Sequence, residues 1–536
     1  MRVVGTWVMI GGMMGAAATA QVASPDLGLV GSLPDSCDLV VATGPLEHLR
    51  ASPAWWCTKA FTNEITGWTR TLEAWSLVAD SLGMTPDQAS EELLRGGIVV
   101  AVSGLSDPAR QSAARRALLC EVRPELEARL RERLRPAPRA LEGASPILSL
   151  EHGAFDIATF VRPGHVGASM MIAPRGGDSL FDELLPVMRG TSPTKPMRDA
   201  PQWTHVRSLP LGAVVVLYRD LHPPAPPARG GPVIMPGERF IAASIAPREE
   251  EVRADVVATR DLLLPQPRAT FGQGLIEPST ASWPAAAVDW AFNGAVLAVA
   301  GNPREVPPDV ALGVLGDGRP MLFTLLESLG LPGQVRDMMD GVAIVTVHET
   351  PDMPGRMITA AIPSRDVVRM VKPVDGWATT FAGQRATVDP GTPLASIRVL
   401  SIDPAEDDRS GMLRGGGTLA WCYVHPAGGG EGWWVVCVQT GRRDEAAAAR
   451  RVRDFAERLD MAPSMPSPTL YQLEIRPSRL IKVQSGGLSV GAAEAFRWID
   501  RLRTRLDSAP NGLVRGTFVA TFDTTLLESP QGPPPP

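Results

Sequence analysis

Tyrosine is nearly absent from this chain, with 3 residues against 13 tryptophans in 536. Local signatures of chemistry are missing altogether. No G-x-S-x-G follows a strand, which excludes the elbow type of serine hydrolase. Zinc-protease, Walker and dinucleotide fingerprints are also missing. Charge of one sign is not in excess. Formal net charge is −6, or −7 once Arg2 is lost with a leader, and such a balance offers no electrostatic footprint for nucleic acid. Beyond the first twenty residues no apolar run approaches the length of a spanning helix.

The chain opens MRVVGTWVMIGGMMGAAATAQ: one basic residue, an apolar run and a small-x-small end at Ala18-Thr19-Ala20. That is the grammar of a secretory signal peptide, so cleavage is expected before Gln21, with a product exported to the periplasm or beyond. Retention of the run as an anchor is the alternative. Five cysteines (Cys37, Cys57, Cys120, Cys422, Cys437) suit an oxidising compartment, and the odd count leaves at least one thiol unpaired. Folding a hairpin about Gly429 and Gly430 sets Cys422 opposite Cys437 and Val424 opposite Val435, making the first two the best disulfide candidates. Cys37 and Cys57 are a second candidate pair. Reduced, buried thiols are the competing expectation. Cys120, inside ALLCEV, reads as core.

One recurrence organises the rest. VRADVVATRD (Val252 to Asp261) returns as VRGTFVATFD (Val514 to Asp523). In the same order, GGIVVAV (from Gly96) matches DGVAIVTV (from Asp340), and ALLCEV with a helix near Pro124 matches MITAAI with a helix near Ser364. The hairpin AFDIATFVRPGHVGASMMIAP leading into SLFDELLPVM matches TLAWCYVHPAGGGEGWWVVCVQ leading into DEAAAARRVRDFAERL. Colinear resemblance of this kind reads as internal duplication. Each copy runs strand, long helix, strand, strand, helix, hairpin, helix, closing strands. The expected fold class is therefore α+β: two related lobes, each a mixed or antiparallel sheet with helices mainly on one face. The expected divisions are 1–20 signal peptide, 21–32 leader, 33–265 first lobe, 266–528 second lobe (266–284 linker) and 529–536 a disordered Pro-rich tail.

LPDSCDLVVATG (Leu33 to Gly44), LGMTPDQASEELLRGG (Leu82 to Gly97) and the closing VRGTFVATF resemble exported bacterial proteins of unknown function that begin with a Leu-Pro-Asp strand opening and carry tandem α+β units. The resemblance implies export and fold, and it carries over no site.

Other features read as structure. Phe61, Ile65, Trp68, Leu72, Trp75 and Leu82 form a helical stripe that suits core packing. Trp433 and Trp434 sit on a strand and point to opposite faces. Seven histidines (His48, His152, His165, His205, His222, His348, His425) show no metal-ligand spacing. The acidic cluster SIDPAEDDRSG, with Asp403, Glu406, Asp407 and Asp408, lacks the alternation of a calcium loop and reads as a solvated turn. The glycines of GVLGDGRP (from Gly313) read as a tight turn, and REEEVRAD (from Arg248) as charges that blunt a sheet edge. No catalytic, cofactor-binding or metal residue is assigned, and no cofactor is expected. The partner is an unknown envelope or extracellular component, with self-association an option; nucleic acid and, once the leader is gone, a transmembrane span are not expected.

Two functions follow. The first is an exported, non-catalytic scaffold or binding protein of the cell envelope. The second is an envelope hydrolase whose site is assembled from separated residues in the inter-lobe cleft. A polar cluster on one matching loop of only one copy favours the enzyme; differences confined to surface loops favour the scaffold.

Overall fold

The structure is a computed structural model that describes most of residues 25–45, 96–107, 114–133, 155–161, 168–174, 180–188, 195–222, 238–263, 282–301, 342–349, 356–382, 397–402, 416–425, 432–461, 465–479 and 497–528, with a few short stretches between. The tryptophan-bearing stripe from Phe61 to Leu82, residues 1–24 and the Pro-rich tail lie outside the described residues.

Two compact units can be described: Met1–Leu263 with Glu494–Trp498 and Gly512–Pro536, and Leu264–Ala493 with Ile499–Asn511. In the first, the strands are β1 (Leu39–Thr43), β2 (Ile98–Ser103), β3 (Arg115–Val122), β4 (Phe155–Val161), β5 (Ala168–Pro174), β6 (Val214–Arg219), β7 (Phe240–Pro247) and β8 (Glu251–Thr259). Its described α-helices of six residues or more are α1 (Pro124–Arg133), α2 (Phe181–Met188) and α3 (Trp203–Ser208), with shorter ones at Leu27–Gly31 and Arg260–Leu263. In the second they are α4 (Ala285–Phe292), β9 (Leu297–Gly301), β10 (Ala343–Glu349), β11 (Arg356–Ser364), α5 (Val367–Ala382), β12 (Ile397–Ile402), β13 (Gly417–Val424), β14 (Gly432–Thr440), α6 (Glu445–Met461), β15 (Thr469–Ile475) and β16 (Ile499–Ala509). The last strand, β17 (Leu513–Phe522), belongs to the first unit.

The expected α+β architecture is corrected here. Apart from the two-residue pair Ser282–Trp283 with Met465–Pro466, the described strands make one 20-stranded sheet. Three of them, Arg135–Pro136, Leu148–Ser149 and Thr387–Asp389, are only two or three residues long. Every pairing among the described residues is antiparallel. Helices are few, and they cover both faces instead of one. The physical reason lies in the strands: β13 and β14 are buried at every position, a pattern that needs cover on both sides and not on alternate residues alone.

The layers follow from that pattern. In the second unit, Val367, Met370 and Val374 of α5 pack on Ile358, Trp421 and Trp434. Ala287 and Ala291 of α4, with Val452, Phe455 and Leu459 of α6, pack on Ala361, Cys422, Trp433 and Val435 on the opposite face. Both rings of the Trp433-Trp434 pair are therefore buried, one in each layer. Helix α6 starts where Asp444 Oδ1 accepts from the Ala447 amide at 3.0 Å, a side-chain N-cap. Its apolar positions recur every three or four residues toward the sheet, and each large one removed from water contributes about 1.5–3 kcal/mol. At Gly432 a Cβ would meet Val367 Cγ2 at 2.3 Å, so only glycine lets the start of α5 sit this close. In the first unit, α2 and α3 pack on Val40, Val99, Leu119 and Phe160, and Leu126 of α1 packs beside Cys120 and Ile172 on the other face.

Pairing order is the same in the two halves. The first reads β4–β5–β3–β2–β1–β6–β7–β8. The second reads β13–β14–β11–β10–β9–β15–β16 with β12 outside β13. Strand β17 pairs with β8, so the two recurring decapeptides lie against each other. Val252 opposes Ala520 and Val514 opposes Ala258, about the matched central pair Asp255 and Thr517. Thr517 Oγ1 donates to Asp255 Oδ1 at 3.2 Å. Strand β8 thus has neighbours on both sides, so of the charges expected to blunt an edge Glu251, Arg253 and Asp255 are interior to the sheet, while Arg248, Glu249 and Glu250 lie in the exposed turn before it. Arg253 Nε instead donates to Asp255 at 3.0 Å along the same strand.

The cysteine expectation meets a different register. Cys422 opposes Val435 and Cys437 opposes Ala420, a displacement of two residues that leaves the two thiols diagonal. All five cysteines are free and buried. Burial raises the thiols of Cys57, Cys120, Cys422 and Cys437 to about 12 and Cys37 higher still. Because the thiolate is the reacting species, the folded chain is expected to resist iodoacetamide at pH 8. Alkylation in denaturant without reductant then adds five groups, read by intact mass; three added groups would establish one bridge instead.

Candidate functional site

Antiparallel neighbours bring the start of β1 beside the ends of β2 and β6, and the residues there turn polar. Asp38 precedes β1. Its amide donates to the Val102 carbonyl at 3.0 Å, and its carbonyl accepts from the Arg219 amide at 2.7 Å. Its side chain is wholly buried. Asp38 Oδ2 accepts from the Ser106 amide at 2.7 Å, while Oδ1 has no hydrogen-bond partner. Burial holds this carboxyl above its ordinary range, and the hydrogen bonds with Ser106 and the nearby His222 oppose that rise.

Ser106 occupies the loop after β2. Its hydroxyl lies 3.2 Å from His222 Nδ1 and accepts from the Leu221 amide at 3.2 Å. His222 is exposed, three residues past β6. Its amide donates to Asp220 Oδ1 at 3.2 Å, and Asp220 Oδ2 accepts from Arg239 Nη1 at 2.7 Å. Tyr218 stands beside these acids; burial first, then Asp220 and Asp38, push its phenol up to about 12.

Behind Asp38 lie further charged side chains. Arg219 is buried, and its Nη1 donates to the Asp35 carbonyl at 2.7 Å. Burial lowers its pKa, opposed by Asp35, Cys37 and Asp38, and its Nε has no partner. Arg115 pairs with Glu183, and Ser36 Oγ is 3.5 Å from Glu183 Oε2. One sheet end thus gathers Asp38, Ser106, His222, Asp220, Arg219 and Arg239.

The matching end of the second unit is built differently. The Val296 amide donates to the Val347 carbonyl at 2.8 Å and its carbonyl accepts from the Arg476 amide at 2.8 Å, the main-chain role that Asp38 fills in the first. An apolar, buried side chain therefore stands where the first unit has the carboxyl. At the position of Ser103 the second unit has His348, which the registers align through Val102 and Val347. His348 Nε2 lies 2.6 Å from Arg451 Nη2, and Arg451 stacks over Trp290 at 4.1 Å. Burial and Arg451 lower His348 to about 4, so the imidazole is neutral near pH 7. Elsewhere in that unit Asp375 accepts from Trp421 Nε1 at 3.3 Å and Tyr423 OH at 3.1 Å and pairs with Arg398. This network satisfies the polar tips of core aromatics.

The structure separates the other residues that the sequence singled out. His205 stacks on Phe240 at 4.9 Å, and His425 is exposed at the end of β13. His48, His152, His165, the glycines from Gly313, and Asp403, Glu406, Asp407 and Asp408 lie outside the described residues. Among the described residues no group of three His, Cys, Asp or Glu converges to hold a metal, and no helix is long and apolar enough to cross a membrane. Cys37 and Cys57 are free thiols, and Cys57 Sγ lies 4.0 Å from the Asp523 carbonyl.

Asp38, Ser106 and His222 were not assigned a role from sequence. A signal was present: Asp38 before LVVAT, Ser103 after IVVAV and Arg219 after VVVLY each put a polar residue at a strand end. Only the strand order places those ends together. No family model, no curated protein and no solved structure matches this chain.

A buried carboxylate with one bare oxygen works against stability. With its folded pKa raised above the unfolded value, the folded state holds the extra proton, so stability falls as pH rises through that window. Asp38→Asn is accordingly expected to raise the urea unfolding free energy at pH 7 by roughly 1 kcal/mol. The gain should shrink as pH falls below the unfolded carboxyl value of 3.8, where both states of the wild type are protonated. A loss of stability at pH 7 would show that the carboxylate is a net stabiliser.

Proposed function

We propose that this chain is an exported binding protein of the cell envelope, and that its ligand site is the polar sheet end formed by Asp38, Ser106, His222 and Asp220. The observation that carries the reading is Asp38: wholly buried, with one oxygen bare, at a position where the second unit has Val296. Natural chains retain costly buried polar groups mostly where a site needs them. The shared pairing order of the halves supports descent from one duplicated unit, in which the first copy keeps the site and the second serves as scaffold. Export rests on the opening twenty residues and on the likeness to exported bacterial proteins noted above.

A purely non-catalytic scaffold would leave this polar end unexplained. The difference between copies is a cluster at one matching strand end, the observation that favours chemistry. All of the gathered residues belong to the first unit, so the site does not require a cleft between lobes.

The test is a thermal-shift screen of the full-length exported chain against amines, acylated sugars and short peptides. Compounds that raise the melting temperature are expected to lose their effect in Asp38→Asn and His222→Ala and to keep it in Arg479→Ala, at the corresponding place in the second unit. Hits that ignore the first two substitutions, or no hits in any class, would contradict the proposal.

A further inference from the structure

We infer that Ser106 and His222 form a nucleophile–base pair that hydrolyses small carboxylic esters at the polar end of the first unit. The inference rests on the binding site proposed above and adds a reaction to it. Three observations carry it. Ser106 Oγ is 3.2 Å from His222 Nδ1, within the reach a general base needs. Both partners are held from behind by carboxylates on their amides: Ser106 by Asp38 at 2.7 Å and His222 by Asp220 at 3.2 Å, with Asp220 fixed by Arg239 at 2.7 Å. Both side chains also face solvent, Ser106 in part and His222 openly.

The chemistry closes on these atoms. With the neutral imidazole carrying its proton on Nε2, Nδ1 takes the Ser106 hydroxyl proton while Oγ bonds to the acyl carbon. The tetrahedral adduct collapses, the bond from acyl carbon to alkoxy oxygen breaks, and that oxygen leaves with the proton from Nδ1. Water then attacks the acyl-serine, giving a proton to Nδ1 that returns to Oγ as the carboxylic acid departs. The Leu221 amide, donating to Oγ at 3.2 Å, stabilises charge on that oxygen as it becomes a leaving group in the second half. Asp38 and Asp220 are positioning residues in this scheme, since neither touches the reacting atoms.

The test uses the full chain, an alkyl phosphonofluoridate and p-nitrophenyl butyrate. The phosphonate should add once, on Ser106 by peptide mapping, and ester turnover should disappear in Ser106→Ala. His222→Ala should slow labelling by about 100-fold or more, and added imidazole should restore part of the rate, which a merely structural histidine would not allow. Far-ultraviolet circular dichroism verifies that both variants fold. Absence of an adduct on folded protein, an adduct elsewhere, unchanged turnover in Ser106→Ala, or wild-type labelling in His222→Ala would each overturn the inference. Compounds that still shift melting of Ser106→Ala while no labelling occurs would reject the hydrolysis alone and leave the binding reading standing.

Discussion

Where helices cover the sheet on both sides, as over β13 and β14, both faces are filled mainly with apolar side chains, and that constraint decides where polar chemistry can sit there. A carboxylate on either face would be stranded without water or partners. Strand ends escape this, because loop amides and neighbouring side chains supply donors there. The start of β1 is such a place. Asp38 ties β2 and β6 to β1 through its own amide and carbonyl, and its side chain anchors the Ser106 loop. Fold and site therefore share one residue.

The two units show the same constraint met in two ways. Where the first buries a carboxyl, the second buries Val296 and continues the core. Where the first has Ser103, the second has His348, held neutral against Arg451 and Trp290. A neutral imidazole beside a guanidinium on an aromatic face is a packing solution, with cation–π attraction in place of an acid partner. Under the duplication proposed above, identical strand order with different end chemistry is what two copies show once only one of them carries the proposed site.

Much of the local structure was legible in the sequence. The apolar runs from Ile98, Ala343 and Arg356, and the helices from Pro124, Val367, Phe181 and Glu445, lie where periodicity and turn residues put them. The recurring decapeptides were visible as well, though not their mutual pairing, which joins residues 262 apart in sequence. Layering was misread because hairpins suggested a half-covered sheet, whereas β14 reads GWWVVCVQT, apolar on both alternations and buried throughout. The Cys422 register was misplaced by two because three successive glycines (Gly428, Gly429, Gly430) offer two centres of symmetry one residue apart, and the observed pairing of Cys422 with Val435 fits the earlier one. The site was the least legible part. Asp38, Ser106 and His222 are separated by 68 and 116 residues, and nothing local links them. Only an antiparallel order with β1 between β2 and β6 brings them together.

The most direct measurement of this account is hydrogen–deuterium exchange of the whole chain before and after phosphonofluoridate treatment. Slowed exchange confined to residues 35–38, 103–106 and 219–222, with 293–296 and 476–479 unchanged, is the predicted result. Equal protection at the second set, protection elsewhere, or no change anywhere would contradict a single site at the polar end of the first unit.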